Sequence, residues 1–206
     1  MSKKPPKESS PNTKQQESFK ISAKKTKALR NRISQGDIFQ DIEIIESITA
    51  EKSILTVQRI AFPYVVCLNQ ECDLEIDFKT INQRECDNNF LHIAIAPAFI
   101  FDQFLSGTHW GDIFLVNRPG KRGDTIINKI MDNEIPRYHY LKFPDKDMPE
   151  LIIDFKHFFS INKAVLYGQL SKRMCSMDDL FREKINQRFS YYISRIGLPE
   201  MVVSKT

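Results

Sequence analysis

The sequence predicts an α+β protein that is mainly β, a small antiparallel barrel with short inserted helices and a C-terminal amphipathic helix. Three observations carry this prediction. Short β-branched or alternating runs recur between residues 38 and 170 with Gly, Pro and Asn between them. One long apolar stripe of helical period appears, close to the C-terminal end. The 206 residues, 41% hydrophobic and 27% charged, suffice for one well-buried core.

Gly36-Asp37 opens the first strand, which carries Ile38, Phe39, Ile42, Ile44 and Ile45. Ser53 to Ile60 alternates at Ile54, Val57 and Ile60 and reads as a second. Pro63 starts a third, Tyr64 to Leu68, whose continuous apolar character suits a strand covered on both faces. Phe90 to Ala96 is the fourth, stopped by Pro97. The polar stretch between them, Asn69 to Asn89, reads as a loop; its two Glu-Cys-Asp triplets have unmatched flanks and so make no repeat.

Ala98 to Leu105 reads as a short helix ended by Gly107, and Asp124 as the cap of another through Met131. Asn117 to Gly123 has the composition of an exposed turn. Tyr138 to Phe143, Leu151 to Ile161 and Ala164 to Leu170 supply further strands, and a small barrel closes that many short strands. Ser176 and Asp179 suit a capping box. After them Phe181, Ile185, Phe189, Tyr192 and Ile196 share one face, and Gly197 and Pro199 end a helix over about 177–196.

Domain organisation follows from charge. Residues 1–32 hold ten Lys and Arg against two Glu, whereas the remainder holds 20 basic and 24 acidic residues. The expectation is a disordered basic tail over 1–32 and a single globular domain over 33–206. Only the tail has the charge that favours nucleic acid. No apolar run is long enough for a bilayer, and the leading residues lack a signal-peptide core, so a cytoplasmic location without membrane association is expected. Four cysteines, unevenly spaced, suit free thiols, and no Cys-x-x-Cys knuckle supports a metal site; no metal and no cofactor are expected.

The candidate chemistry lies in four strings. Asn69-Gln70-Glu71-Cys72-Asp73 leaves a buried strand for a polar segment. Cys72 beside Asp73 reads either as a nucleophile, if a base such as His139 or His92 serves it, or as a small side chain filling a turn. Arg137-Tyr138-His139-Tyr140 places Arg137 and His139 on one face of a strand, suited to a phosphate, and the tyrosines on the other. That same string reads equally as a plain strand with a core-facing tyrosine pair. Arg118, Lys121 and Arg122 sit on the Gly-Pro loop, where they would clamp a phosphate backbone or simply be solvated. Asp154, in an apolar run, is a candidate buried partner for Arg137 or Arg195.

Several strings together resemble a bacterial protein family of unassigned activity. They are Gly36-Asp37-Ile38-Phe39, Phe62-Pro63-Tyr64-Val65-Val66, Leu68-Asn69-Gln70-Glu71-Cys72-Asp73-Leu74-Glu75, Pro136-Arg137-Tyr138-His139-Tyr140-Leu141, Asp154-Phe155-Lys156-His157-Phe158-Phe159-Ser160 and Arg195-Ile196-Gly197-Leu198-Pro199-Glu200. In Gly36-Asp37-Ile38 and the Phe62-Pro63 strand the chain also resembles the MazF/PemK toxins, which implies an SH3-like barrel, RNA as ligand and a toxin-antitoxin or genome-defence setting. The toxins' Arg-Pro and Pro-Ile-Thr segments are replaced here by Phe62-Pro63 and Ala96-Pro97-Ala98-Phe99, without the arginine and threonine that carry cleavage.

The leading expectation is therefore RNA binding in a groove of Asn69, Gln70, Cys72, Asp73, Arg137, Tyr138 and His139, helped by Arg118, Lys121, Arg122 and the tail. Two alternatives stand beside it: an enzyme using Cys72, Asp73, His139 and Arg137, as ribonuclease or by thiol chemistry, and a non-enzymatic module for a protein partner.

Overall fold

The computed structural model describes residues 23–195 except 30, 52–53, 82–86, 112, 115 and 146. In chain order the elements are β1 (Lys25–Thr26), β2 (Ile38–Glu51), β3 (Ile54–Cys67), α1 (Glu71–Thr80), β4 (His92–Ile100), α2 (Phe101–Ser106), α3 (Thr125–Met131), β5 (Tyr138–Leu141), β6 (Leu151–Asp154), β7 (Phe159–Asn162), α4 (Lys163–Tyr167), β8 (Arg173–Met177) and α5 (Asp179–Ile193). All pairings are antiparallel, in the order β1-β8-β2-β3-β4-β6-β5, with β7 also on β4. The result is a mainly β, α+β fold whose sheet curls into a half-barrel.

The core lies on both faces of the sheet. Phe39, Ile95, Phe99, Ile152 and Tyr140 pack with α2, α3 and Trp110 in one cluster; Ile38, Val66, Ile153 and Phe155 pack with Ile185 of α5 in the other. One row, His139–Ile153–Ala98–Tyr64–Gln40, crosses five strands in register.

Several elements differ from the expectations. The strands foreseen at 54–60 and 64–68 are one strand, because Pro63 lies where β3 has no neighbour except β2; pairing with β4 starts only at Tyr64. Pro97 does not end β4. It stands where β4 exchanges β7, last paired at Ile95, for β6, first paired at Ala98, so its missing N–H is not needed.

The expected loop at 69–89 contains α1. That helix buries only Leu74 and Asp77, too few apolar positions to show a helical period. Asp77 is wholly buried; its carboxylate accepts from the Phe90 amide and from Lys163 Nζ at 2.7 Å.

Leu151 to Ile161 is not one strand, because Asp154 accepts from the Lys156 amide and turns the chain through a short 3-10 segment at Phe155–His157. Residues 163–167 are helical where a strand was expected, since Asn162 accepts from the Ala164 amide and caps α4. For α5 the cap position is Asp178, and Ser176 donates instead to Asp37.

The predicted boundary at residue 32 falls inside the fold. Ala23 is buried and donates its amide to Lys142, β1 pairs with the edge of β8, and Arg32 is paired with Glu71. Local composition is polar there, but the Lys24 carbonyl accepts from the Asp178 amide and the Leu29 and Arg32 carbonyls from Arg173. The first 22 residues of the predicted tail, and residues 196–206, lie outside the described residues.

Candidate functional site

The corner formed by the Gly36-Asp37 turn and the start of α1 is a closed polar clasp. Gly36 has φ +74, and a Cβ there would lie 2.9 Å from Cβ of Arg182, so the turn needs glycine. Asp37, fully buried, accepts from the Ser34 amide, Ser176 Oγ and Arg173 Nη1 (2.8 Å). Burial nevertheless pushes its carboxyl above the usual range against those hydrogen bonds. Glu71 joins Arg32, the Gln35 amide and Arg182, and the Gln35 side chain accepts from the Glu71 amide.

The predicted thiol stands at the rim of that clasp. Cys72 and Asp73 are exposed on the first turn of α1, with Cys72 Sγ 3.5 Å from Asp73 Oδ1 and 3.7 Å from Gln70 Oε1. The hydrogen bond to Asp73 raises the thiol pKa, which favours the protonated, unreactive form. Gln70 is the N-cap residue of α1, and Asn69 accepts from the Ala94 amide, bracing β4. Asn69 thus has a structural task, whereas the exposed Gln70 side chain makes no cap bond.

His139 is not a base within reach of substrate. It is 1% exposed beneath α5, 6.3 Å from the Phe155 ring, and burial together with Arg188 and Lys184 holds its pKa at about 3. From Tyr64 near the end of β3 it is three strands away, roughly 14 Å at the usual strand spacing. Cys72 and His139 thus have separate surroundings. Nor does Arg137 share the face of His139: it lies in the turn before β5, with its guanidinium 4.8 Å over the Tyr138 ring.

Arg137 does meet Asp154. Its Nε and Nη2 donate to the two carboxylate oxygens at 2.8 and 2.5 Å, a bidentate pair anchored on a fully buried acid. On the same carboxylate, at 3.9 Å, lies His157 Nε2. Burial, opposed by Asp154, lowers the His157 pKa, so the imidazole is neutral near pH 7.

His157 packs 4.6 Å from Trp110 and 5.9 Å from Phe114, whose ring is 49% exposed. Trp110 in turn meets His109 and Phe99. The site thus joins one anchored guanidinium, one neutral imidazole and one exposed ring. None of the Trp110, Phe114 and His157 roles was foreseen; the available signal was the Asp154-x-x-His157 spacing around a turn.

Two cavities flank α2 beside this cluster. One, about 450 Å³, has Phe62, Phe99, His109 and Trp110 among its walls and Arg59 at its edge. The other, about 500 Å³, brings together the predicted Arg118, Lys121 and Arg122 with Asp102, Ser106 and Asp124. Arg122 is taken up by Asp102 and Glu150, at 3.0 and 2.5 Å.

Arg118 and the Lys121 ammonium have no acidic partner among the described residues. Gly107, left-handed at φ +77, lets residues 116–118 lie against the end of α2; a Cβ there would be 2.8 Å from the Val116 carbonyl. That contact sets Arg118 on the rim.

Among the described residues, no group of three or more His, Cys, Asp or Glu is placed to hold a metal ion, and no helix is long and apolar enough to cross a membrane. No family model matches the chain, and no curated protein matches it.

Proposed function

We propose that the protein is a small SH3-like barrel that binds single-stranded nucleic acid, RNA foremost, across the α2 face. Bases stack on Phe114 and the His157 edge, and phosphates meet Arg137, Arg118 and Lys121. The observation that carries this reading is the exposed Phe114 ring set against His157 and the Asp154-anchored Arg137. Stacking surfaces interleaved with cations suit unpaired bases. Duplex DNA would ask for a broad cationic face, and residues 33–206 are net acidic. The toxin-antitoxin or genome-defence setting belongs to the same reading.

Direct titration of labelled single-stranded RNA, single-stranded DNA and duplex tests it. Single strands bind in low salt, and replacing Arg118 and Lys121 by Ala lowers the salt slope by about two. Absence of binding to every strand at low salt sinks the proposal.

A second reading, cleavage of the bound strand, is favoured by the neutral imidazole of His157 beside Arg137. His157 would take the proton from an attacking ribose hydroxyl as its oxygen bonds to phosphorus, Arg137 would stabilise charge growing on the phosphate, and the P–O bond to the departing strand would break with a proton returned to that oxygen from solvent. Products that form with wild type and vanish with His157→Gln, while binding persists, establish it. Intact RNA after prolonged incubation leaves binding alone.

A further inference from the structure

The cavity of about 450 Å³ lined by β3, α2 and the turn after α2 has the size of a small-molecule site. Phe62, Phe99 and Trp110 give it aromatic walls. The Trp110 ring stands 6.2 Å from Phe62 at 79° and 4.8 Å from Phe99 at 56°.

His109, Thr108 and Gln103 supply the polar part of the wall. His109 is only 8% exposed, and its Nδ1 has no hydrogen-bond partner among the described residues. A buried nitrogen left unpaired calls for a partner from outside the chain. Burial lowers the pKa of His109, so near pH 7 the ring is neutral, with one N–H and one lone pair. The walls hold no carboxylate, and Arg59 at the edge is paired with Glu43 at 3.5 Å. Neither a metal ion nor a phosphate finds an unpaired counter-charge there. An uncharged flat ring with polar edges fits.

We infer that this cavity receives one unpaired nucleobase, turned out of the strand that stacks on Phe114, and that it reads the edge of that base. The inference rests on the proposed binding of single strands and deepens it. Continuity of the two surfaces carries it. Trp110, Gly111 and Ile113 of the cavity wall belong to the same turn as Phe114, and the Trp110 ring also stands 5.1 Å from Phe114 and 4.6 Å from His157. Gly111, at φ +54, has nothing within 4 Å of the place a Cβ would take, which leaves the wall open at that point. Turning out a base costs least when it has no pairing partner. Bases so placed are held between aromatic faces and hydrogen-bonded along their edges, which are the two kinds of group this wall presents.

Trp110 is the only tryptophan of the chain, so its indole N–H gives a single resonance in nitrogen-edited NMR spectra. Titrating the full chain with adenosine or uridine monophosphate is expected to shift that resonance to saturation, whereas ribose 5-phosphate leaves it in place. Phe114→Ala keeps the shift, because the cavity and not the outer ring holds the base. Thr108→Leu, at an exposed wall position, weakens nucleotide affinity about tenfold, as loss of one base stack does, with the remaining spectrum unchanged. No shift with either nucleotide, an equal shift with ribose 5-phosphate, loss of the shift in Phe114→Ala, or full affinity in Thr108→Leu overturns the proposal. Its failure is separable from that of strand binding. RNA that binds while neither nucleotide moves the Trp110 resonance removes the cavity alone; nucleotides that move it while no strand binds support the cavity and sink the strand.

Discussion

The clasp around Asp37 and the open face along α2 hold similar charged residues and have opposite states. In the clasp, Arg173, Arg32 and Glu71 are each paired and largely enclosed. On the α2 face Arg118 and Lys121 have no acidic partner among the described residues, and Phe114 presents its ring to water. The string around Cys72 is the more unusual in sequence, yet its Glu71 is spent on Arg32, Gln35 and Arg182 and its Asn69 on bracing β4. The α2 face draws on residues scattered from 59 to 157, and there the groups remain available.

The largest effect that sharpens this contrast is expected from Asp37→Ala. It leaves Arg173 enclosed without its acid and lowers unfolding free energy by about 3–5 kcal/mol, measured from the urea midpoint. Wild-type stability in that variant would break the idea of a structural clasp.

Next is His139, the imidazole that the fold encloses. Its folded pKa of about 3 lies below the ordinary 6.5, so the unfolded chain takes up a proton that the folded chain refuses. Stability is whole above pH 6.5, falls by roughly 2 kcal/mol by pH 5, and continues to fall toward pH 3. His139→Phe should flatten that acid limb in denaturation curves, while nucleic-acid binding at pH 7 stays as it was.

On the open face, Phe114→Ala is expected to cost about 1–3 kcal/mol of single-strand affinity with little change in melting temperature. The reverse outcome, lost stability with intact binding, would make Phe114 a packing residue. The smallest effect is assigned to Cys72→Ser, within about 0.5 kcal/mol in stability and without loss of binding. An inactive Cys72→Ser protein would return function to the clasp.

Much of the fold is legible where a pattern is local. α2, α3 and α5 stand close to their expected positions because Gly107, Asp124 and the Phe181–Ile185–Phe189 stripe are local signals. The pairing of Arg137 with Asp154 is also legible, since a lone acid in an apolar run needs a cation.

α1 is illegible, because its inward Asp77 is matched by Lys163, 86 residues away. The wrong imidazole stands out for a related reason. His139 lies two residues from Arg137 in sequence, but Arg137 stands in the turn before β5 and only His139 is in the strand, under α5, whereas the 3-10 turn after Asp154 carries His157 back toward Arg137. Apolar alternation likewise predicts the outer parts of β2 and β3 without saying what covers them.

The bond between Asp37 and Arg173 spans 136 positions of the chain. During synthesis the acid therefore leaves the ribosome long before its cation has been polymerised, and the β2–β3 ribbon waits in the nascent chain with its anchor incomplete. At the usual pace of elongation that interval is on the order of ten seconds, far longer than hairpin formation. Locking of the clasp thus waits until residue 173 has emerged, and whatever shields the ribbon in the meantime governs the yield of native protein.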